Sequence, residues 1–320
     1  MRGRSFFAAP EGAAMAKAKM GIEVSDIAAL TPRELIAIDY LPVPPVLADH
    51  VTTFYHFRCD EPVIRDFQPA AIGQLGLFLY GEGSIRFADG RVDPSHRDIL
   101  LTHTSAAAAI EVDGPFHAIG AALSPLGFAA LTGLDARENA DRLLRASDHF
   151  GPEMERLAAR ACERYAQDGS TAGEIAGELA RFIAANLSEI PAQHRALIGQ
   201  VNSWLASSLT PEVDDLYREV AYSERQAQRL VECYFGMPPK QLARKYRALR
   251  AAMWLSLPVL NETAEAQLAD AFSDQSHMIR EIRHFVGRTP ARLRDEQAPI
   301  LNELIGKDNF REIGGASPTG

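Results

Sequence analysis

Two short segments near the C-terminal end, SERQAQRL (Ser223 to Leu230) and SDQSHMIR (Ser273 to Arg280), restrict this chain's fold more than anything else in it. Each opens on a serine that can cap a helix, and each then sets an apolar stripe against a face of arginine and amide side chains. In the first, Ser223 can accept a bond from the N–H of Gln226 and Gln226 can reach back, a capping box. At 100° per residue Arg225, Gln228, Arg229 and Glu232 share one face, opposite Ala227, Leu230, Val231 and Tyr234. Upstream, VDDLYREV predicts a shorter helix with Val213, Leu216 and Val220 inward, and Ala221 and Tyr222 make the turn. Helix, tight turn and capped helix with a basic outer face form a helix-turn-helix unit.

The second segment repeats the plan. ETAEAQLADAF predicts a helix with Ala264, Leu268 and Ala271 inward. Ser273 is then the expected cap, and Asp274 complements the positive helix end. Met278, Ile282 and Phe285 form the buried side; Ser276, Arg280 and Arg283 form the outer side. Gly287 closes the helix and TPARLR begins the next turn. A helix from about Pro239 to Leu257 joins the units and spans roughly 28 Å at ~1.5 Å per residue. Major grooves on one face of DNA repeat at about 34 Å, so one chain is expected to reach two of them.

AFSDQSHMIREIRHFVGRTPARLR resembles the C-terminal signature of the AraC/XylS family of bacterial transcription regulators. It matches at Phe272, Asp274, Ser276, His277, Arg280, Gly287, Thr289, Pro290 and Arg294. SERQAQRLVECYFGMPPKQLARKYRALRAA resembles the first half of the same domain, and the likeness runs from about 195 to 296. The chain departs from the pattern at Ala271 (usually Gly), Met278 and Ile282 (usually Phe), Tyr217 (usually Ala) and Ala221 (usually Gly). These departures bear on packing and turns, not on the outward face. The resemblance implies a sequence-specific transcription regulator that binds double-stranded DNA. It also implies RNA polymerase as a partner, a small-molecule effector, and a homodimer.

The net charge of −9 runs against a nucleic-acid partner until it is mapped. Residues 211–299 carry thirteen basic and thirteen acidic side chains; 223–250 alone has seven basic against two acidic, and 278–294 five against one. Local charge governs an encounter with phosphate. Cys59, Cys162 and Cys233 are odd in number and scattered, which argues against a disulfide framework and a cysteine zinc site and suits a reducing cytoplasm. No apolar run approaches the ~20 residues that cross a bilayer.

The remaining chain reads in order. Residues 1–20 are Ala-rich and basic, and 1–38 read as a disordered or loosely packed extension, with a start at Met15 or Met20 as an alternative. YLPVPPVL is an extended proline segment and VTTFYHFRC an alternating strand. IGQLGLFLYGEGSIRFADGRV reads as a hairpin turning at Gly81-Glu82-Gly83, with a second turn at Asp89-Gly90. RDILLTH, AAIEVDGPF and HAIGAALSP read as further short strands with turns between. Together they predict a small β-barrel or jelly roll. LSPLGFAALTG and the helical stretch after it resemble the cupin-like sensor half of many AraC-type regulators. TAGEIAGELARFIAANL carries Ile175, Leu179, Phe182, Ile183 and Leu187 at helical spacing, for packing on the barrel first and a dimer contact second. The expected fold class is α+β. A β-rich cupin-like barrel with trailing helices occupies 39–190, and an all-α DNA-binding domain of two helix-turn-helix units joined by a long helix occupies 191–299. Residues 300–320 form a tail.

No catalytic pattern competes. Gly81-x-Gly83 lacks a third glycine, since Arg86 stands there, and both flanks read as strand. His96 and His103 lie seven apart, and His50, His56 and His117 fit no ligand spacing; each is expected to be structural or exposed. Neither a metal nor any other cofactor is expected. Base-edge contacts are assigned to Arg225, Gln228 and Arg229 in the first unit and to Gln275, Ser276 and Arg280 in the second, because Arg pairs with guanine and Gln with adenine. Arg244, Lys245, Arg247, Arg283, Arg288 and Arg292 are expected to hold phosphate, which positions without specifying. His277 is balanced between packing and phosphate. The competing readings are a cupin-like metal enzyme fused to a degenerate helical module, and a ligand-free regulator working through protein partners.

Overall fold

The computed structural model describes residues 30–257, 259–289 and 293. The extension up to residue 29, the tail from 300, and Pro290, Arg292 and Arg294 of the signature lie outside the described residues. Among the described residues, eight strands form one antiparallel sheet: β1 (Ile36–Leu41), β2 (Val51–Cys59), β3 (Val63–Gln68), β4 (Gln74–Arg86), β5 (Val92–Pro94), β6 (Asp98–Leu101), β7 (Ala108–Leu123) and β8 (Leu143–Arg145). The order is β1-β2-β7-β4-β6-β8, with β3 on β7 and β5 on β4. β7 is the spine. Its first half pairs with β3, its second half with β2, and β4 follows it along its length. The sheet curls, so that Ile38, Phe57, Ile64, Phe78, Ile99, Ile110 and Leu143, from seven different strands, line one cavity.

Two expected turns are strand instead. Gly81 to Gly83 do not reverse the chain; β4 runs through them as a bulged strand. Gly81 sits at φ +79°, and a Cβ there would meet Pro115 O at 2.7 Å; at Gly83 it would meet Glu111 O at 2.3 Å. The glycines serve close backbone approach and strand bending, a sequence signal shared with turns. Likewise AAIEVDGPF and HAIGAALSP join into the single strand β7. The turn at Asp89-Gly90 is present, with Gly90 N–H donating to Phe87 O. β1 lies partly within what composition assigned to the extension, and β3 has no counterpart in the expected strands.

Helices α1 (Pro125–Thr132), α2 (Ala146–Phe150), α3 (Pro152–Gln167) and α4 (Ala172–Asn186) follow the sheet. Ser124 caps α1 by accepting from Gly127 N–H. The stripe on α4 is spent inside the chain: Ile175, Leu179, Phe182 and Ile183 are buried with Phe54 and Ile119 of the sheet. Each such side chain contributes about 1.5–3 kcal/mol on burial.

The C-terminal half is helical: α5 (Ala192–Ser207), α6 (Val213–Glu219), α7 (Glu224–Phe235), α8 (Pro239–Ser256), α9 (Glu262–Ala271) and α10 (Gln275–Val286). One core unites them, with Leu216, Ala227, Val231, Leu249, Leu268 and Ile282 almost wholly buried. Arg250 is buried beneath it and donates to Ser208 O at 2.6 Å and to Leu205 O, so the end of α5 is tied to α8. Burial lowers the Arg250 guanidinium to about 10.

Candidate nucleic-acid interface

The capping box on α7 is complete. Ser223 Oγ accepts from Gln226 N–H, and Gln226 Oε1 accepts from Ser223 N–H at 3.3 Å. Gly236 closes the helix at φ +78°. Arg225, Gln228 and Arg229 are exposed, and Ala227, Val231 and Tyr234 are buried, as the helical phase requires. Glu232 departs from that phase. It is buried, paired with Arg137 of the loop after α1, and accepts from Gln228 Nε2 at 3.0 Å.

On α10 the cap is Asp274, not Ser273. Asp274 Oδ1 accepts from His277 N–H at 2.7 Å, and that bond holds its carboxyl below the usual range. Ser273 hydrogen-bonds the Asp274 and His277 side chains instead. A carboxylate outdoes a hydroxyl at the positive helix end. Ser276 and Arg280 are exposed and Gln275 is half-buried, while Met278, Ile282 and Phe285 face the core. The outward faces of α7 and α10 thus present Arg225, Gln228, Arg229, Ser276 and Arg280 to solvent, with Gln275 at the margin.

The residues expected on phosphate divide. Arg244 is exposed and Arg247 half-buried, and both are clamped by the buried carboxylate of Glu281: Arg244 Nε donates to Oε1 at 2.7 Å, Arg247 Nε to Oε2 at 3.0 Å. Burial pushes the Glu281 carboxyl up, but these two bonds outweigh it and leave it low. His277 Nε2 lies 3.3 Å from Glu281, and its ring packs edge-on against Phe272. Arg283 is half-buried.

Lys245 and Arg288 correct the expectation. Lys245 is 2 % exposed, and its ammonium donates to Ala71 O at 2.9 Å and Thr104 O at 3.2 Å on the rim of the sheet. Arg288 is also 2 % exposed and pairs with the buried Asp66 of β3. Neither faces solvent in this arrangement, so neither is placed to hold phosphate. Backbone bonds reinforce the seam: Ala70 N–H donates to Phe285 O, Ala107 N–H to His284 O, and Ala136 N–H to Cys233 O.

Helical phase held part of this. Lys245 lies three after Leu242 and four before Leu249, and Glu281 lies three after Met278 and four before Phe285, so both fall on buried faces. A charged side chain there demands a partner. Nothing in the sequence pairs Arg288 with Asp66 across 222 positions. The histidines set aside as ligands follow the expectation for His56 and His117, which both bond Tyr165 Oη of α3, at 2.8 and 2.9 Å.

Two capped helices with solvent-facing arginine and amide side chains, fixed to one long helix, define a tandem helix-turn-helix domain. The profile of a helix-turn-helix domain family matches residues 216–296. That segment is an AraC-type helix-turn-helix domain. A search among curated proteins gives no significant match. Among solved structures, ToxT from Vibrio cholerae O395 bound to (E)-4-(8-methylnaphthalen-1-yl)but-3-enoic acid aligns over 77% of this chain and 98% of its own, at 9% identity and a TM-score of 0.42. Another ToxT structure from the same strain covers 82% and 98% at 8% identity and 0.41. The AraC-like transcriptional activator CuxR covers 68% and 86% at 15% identity and 0.29. Among the described residues no helix is long and apolar enough to cross a membrane.

Proposed function

We propose that this chain is a DNA-binding transcription regulator whose α7 and α10 enter adjacent major grooves of one operator. The observation that carries the reading is the pair of capped, outward-facing helices held at a fixed separation by α8, whose 18 residues span about 27 Å at ~1.5 Å each. Arg225, Gln228 and Arg229 from one helix and Gln275, Ser276 and Arg280 from the other read base edges; Arg244, Arg247 and Arg283 hold phosphate. Residues 191–299 form the reading half and 39–190 the sensing half.

The sensing half contains a cavity of about 180 Å³ with apolar walls. Its few polar groups include the Tyr55 hydroxyl, which donates to Gln74 Oε1 at 2.9 Å, and the side chains of Ser84 and Ser95. Burial pushes the Tyr55 hydroxyl up, so it stays a neutral donor. Lys245, Tyr246 and Leu249 of α8 close the cavity from the other half. A small, mostly apolar effector bound there touches both halves and shifts whichever arrangement it fits better.

Selection of bound sequences from a random duplex pool, with the salt dependence of the enriched site, tests the reading. It predicts two sequence boxes about one helical turn apart and an affinity that falls steeply with salt. Absence of any enriched sequence at low salt, with and without a panel of apolar ligands, removes it.

A further inference from the structure

His103 follows β6 and lies where the two halves meet. It is 1 % exposed, and among the described residues neither ring nitrogen has a hydrogen-bond partner. On one side the Phe128 ring of α1 stands edge-on at 4.7 Å between centroids. On the other, the last turn of α7 presses against it: a Cβ on Gly236 would lie 3.1 Å from His103 Cβ.

A neutral imidazole can sit in such a place at modest cost. An imidazolium carries two N–H donors and a full charge, and among the described residues neither donor has an acceptor here. The charged group acting on the ring is the Lys245 ammonium of α8, which is repulsive to a second cation. Asp141 meets His103 through the backbone, where its N–H donates to His103 O. Its side chain is already taken by Ser105 N–H at 2.8 Å and Ser105 Oγ at 2.6 Å. Glu232, on the same turn of α7, is held by Arg137 and Gln228. Half-buried His284 of α10 also borders the seam, and burial lowers it too.

We propose that His103 makes the docking of the helical half on the barrel half proton-sensitive, so that acidification favours an opened arrangement in which the ring reaches water. The proposal stands apart from the DNA-reading proposal, because it concerns only whether the seam is closed. Burial, aided by Lys245, lowers the docked ring to about 3. Opening returns it towards the ordinary histidine value of about 6.5. The sign follows: a group depressed in the docked state leaves docking intact above its ordinary value and weakens it as pH falls below that value. Between pH 7.5 and 5 one such group lowers the docking constant up to about 30-fold.

The test uses the full chain, His103→Leu and His103→Gln, between pH 7.5 and 5. Hydrogen exchange at Ala70 and Ala107, whose N–H groups bond across the seam, is corrected for intrinsic rates and compared with amides inside β2. The expected result is a loss of seam protection approaching 30-fold in the wild type, with β2 unchanged and both variants flat. Equal loss in wild type and variants assigns the effect elsewhere, His284 first, and overturns the proposal. If neither variant folds, NMR titration of the His103 ring in the wild type decides. A ring that stays neutral until the seam opens supports the proposal; one that protonates near 6.5 with the seam amides still protected overturns it.

Discussion

The two helix-turn-helix units share a plan but are held differently. The first meets the β-rich half at the loop after α1, through Arg137 and Glu232, an ion pair whose arginine is 62% exposed, and through the bond from Ala136 N–H to Cys233 O. The second is bound by two backbone bonds and by Arg288 and Asp66, whose side chains are 2% and 0% exposed. Gly287, at φ +84°, lets the chain pass against Phe67 there; a Cβ would lie 2.6 Å from Phe67 Cβ. α7 is therefore lightly held, whereas α10 is followed by a segment that the β-rich half grips just past the helix end. If the proposed function is right, a change within the β-rich half should reach the second unit first.

The largest way to break this comparison is through the buried pair. Arg288→Ala should destabilise the chain by about 3–5 kcal/mol, because it leaves the Asp66 carboxylate buried without its cation. Arg137→Ala, where the arginine is 62% exposed and the buried Glu232 keeps its bond from Gln228 Nε2, should cost less, about 1–3 kcal/mol. Urea unfolding of the two variants side by side measures the difference, and equal losses would erase the asymmetry. Replacing both Asp66 and Arg288 by apolar residues of similar size should recover most of the loss.

The next effect concerns DNA. Arg225→Ala and Arg280→Ala should each lower specific affinity by about 1–3 kcal/mol and relax the sequence requirement in one box only, not the same box for both. Titration against duplexes randomised one box at a time shows which box each variant no longer reads.

A smaller contrast sits at the caps. Ser223→Ala should cost about 1 kcal/mol, since Ser223 satisfies the Gln226 N–H. Ser273→Ala should stay within about 0.5 kcal/mol, because Asp274 is the cap of α10. Thermal melts separate the two, and equal costs would return the capping role to Ser273.

The smallest effect is in the pH dependence of the second unit. Glu281 is depressed in the folded chain, so its clamp on Arg244 and Arg247 contributes fully above the ordinary carboxylate value of about 4.3 and is lost as pH falls through the folded value. Glu281→Gln should flatten the stability profile below about pH 4.5 and leave its shape above pH 6 unchanged. A profile that stays as steep as the wild type's would show that the clamp carries no such dependence.

Legibility followed the range of the forces. The caps at Ser223, the buried faces of α7 and α10 and the order of helices rest on contacts within a few residues, and the 3.6 period exposes them. β2 was equally plain from alternation. Gly81 and Gly83 misled because glycine marks both turns and close strand approach, and the partner that decides, Glu111 on β7, is distant in sequence. The burial of Lys245 and Glu281 is legible from helical phase, but the positive charge of Lys245 argues for phosphate, and only the fold supplies its partners Ala71 O and Thr104 O. Arg288 with Asp66, and His103 under Gly236, are juxtapositions that only the docked fold creates.

Hydroxyl-radical footprinting of the full chain on a selected duplex tests the central claim most directly. Two helices reading adjacent major grooves predict two protected patches on one face of the DNA, about one helical turn apart, with Arg225→Ala fading one patch and Arg280→Ala the other. A single patch, or one that both variants weaken alike, would contradict the claim that one chain reads two grooves.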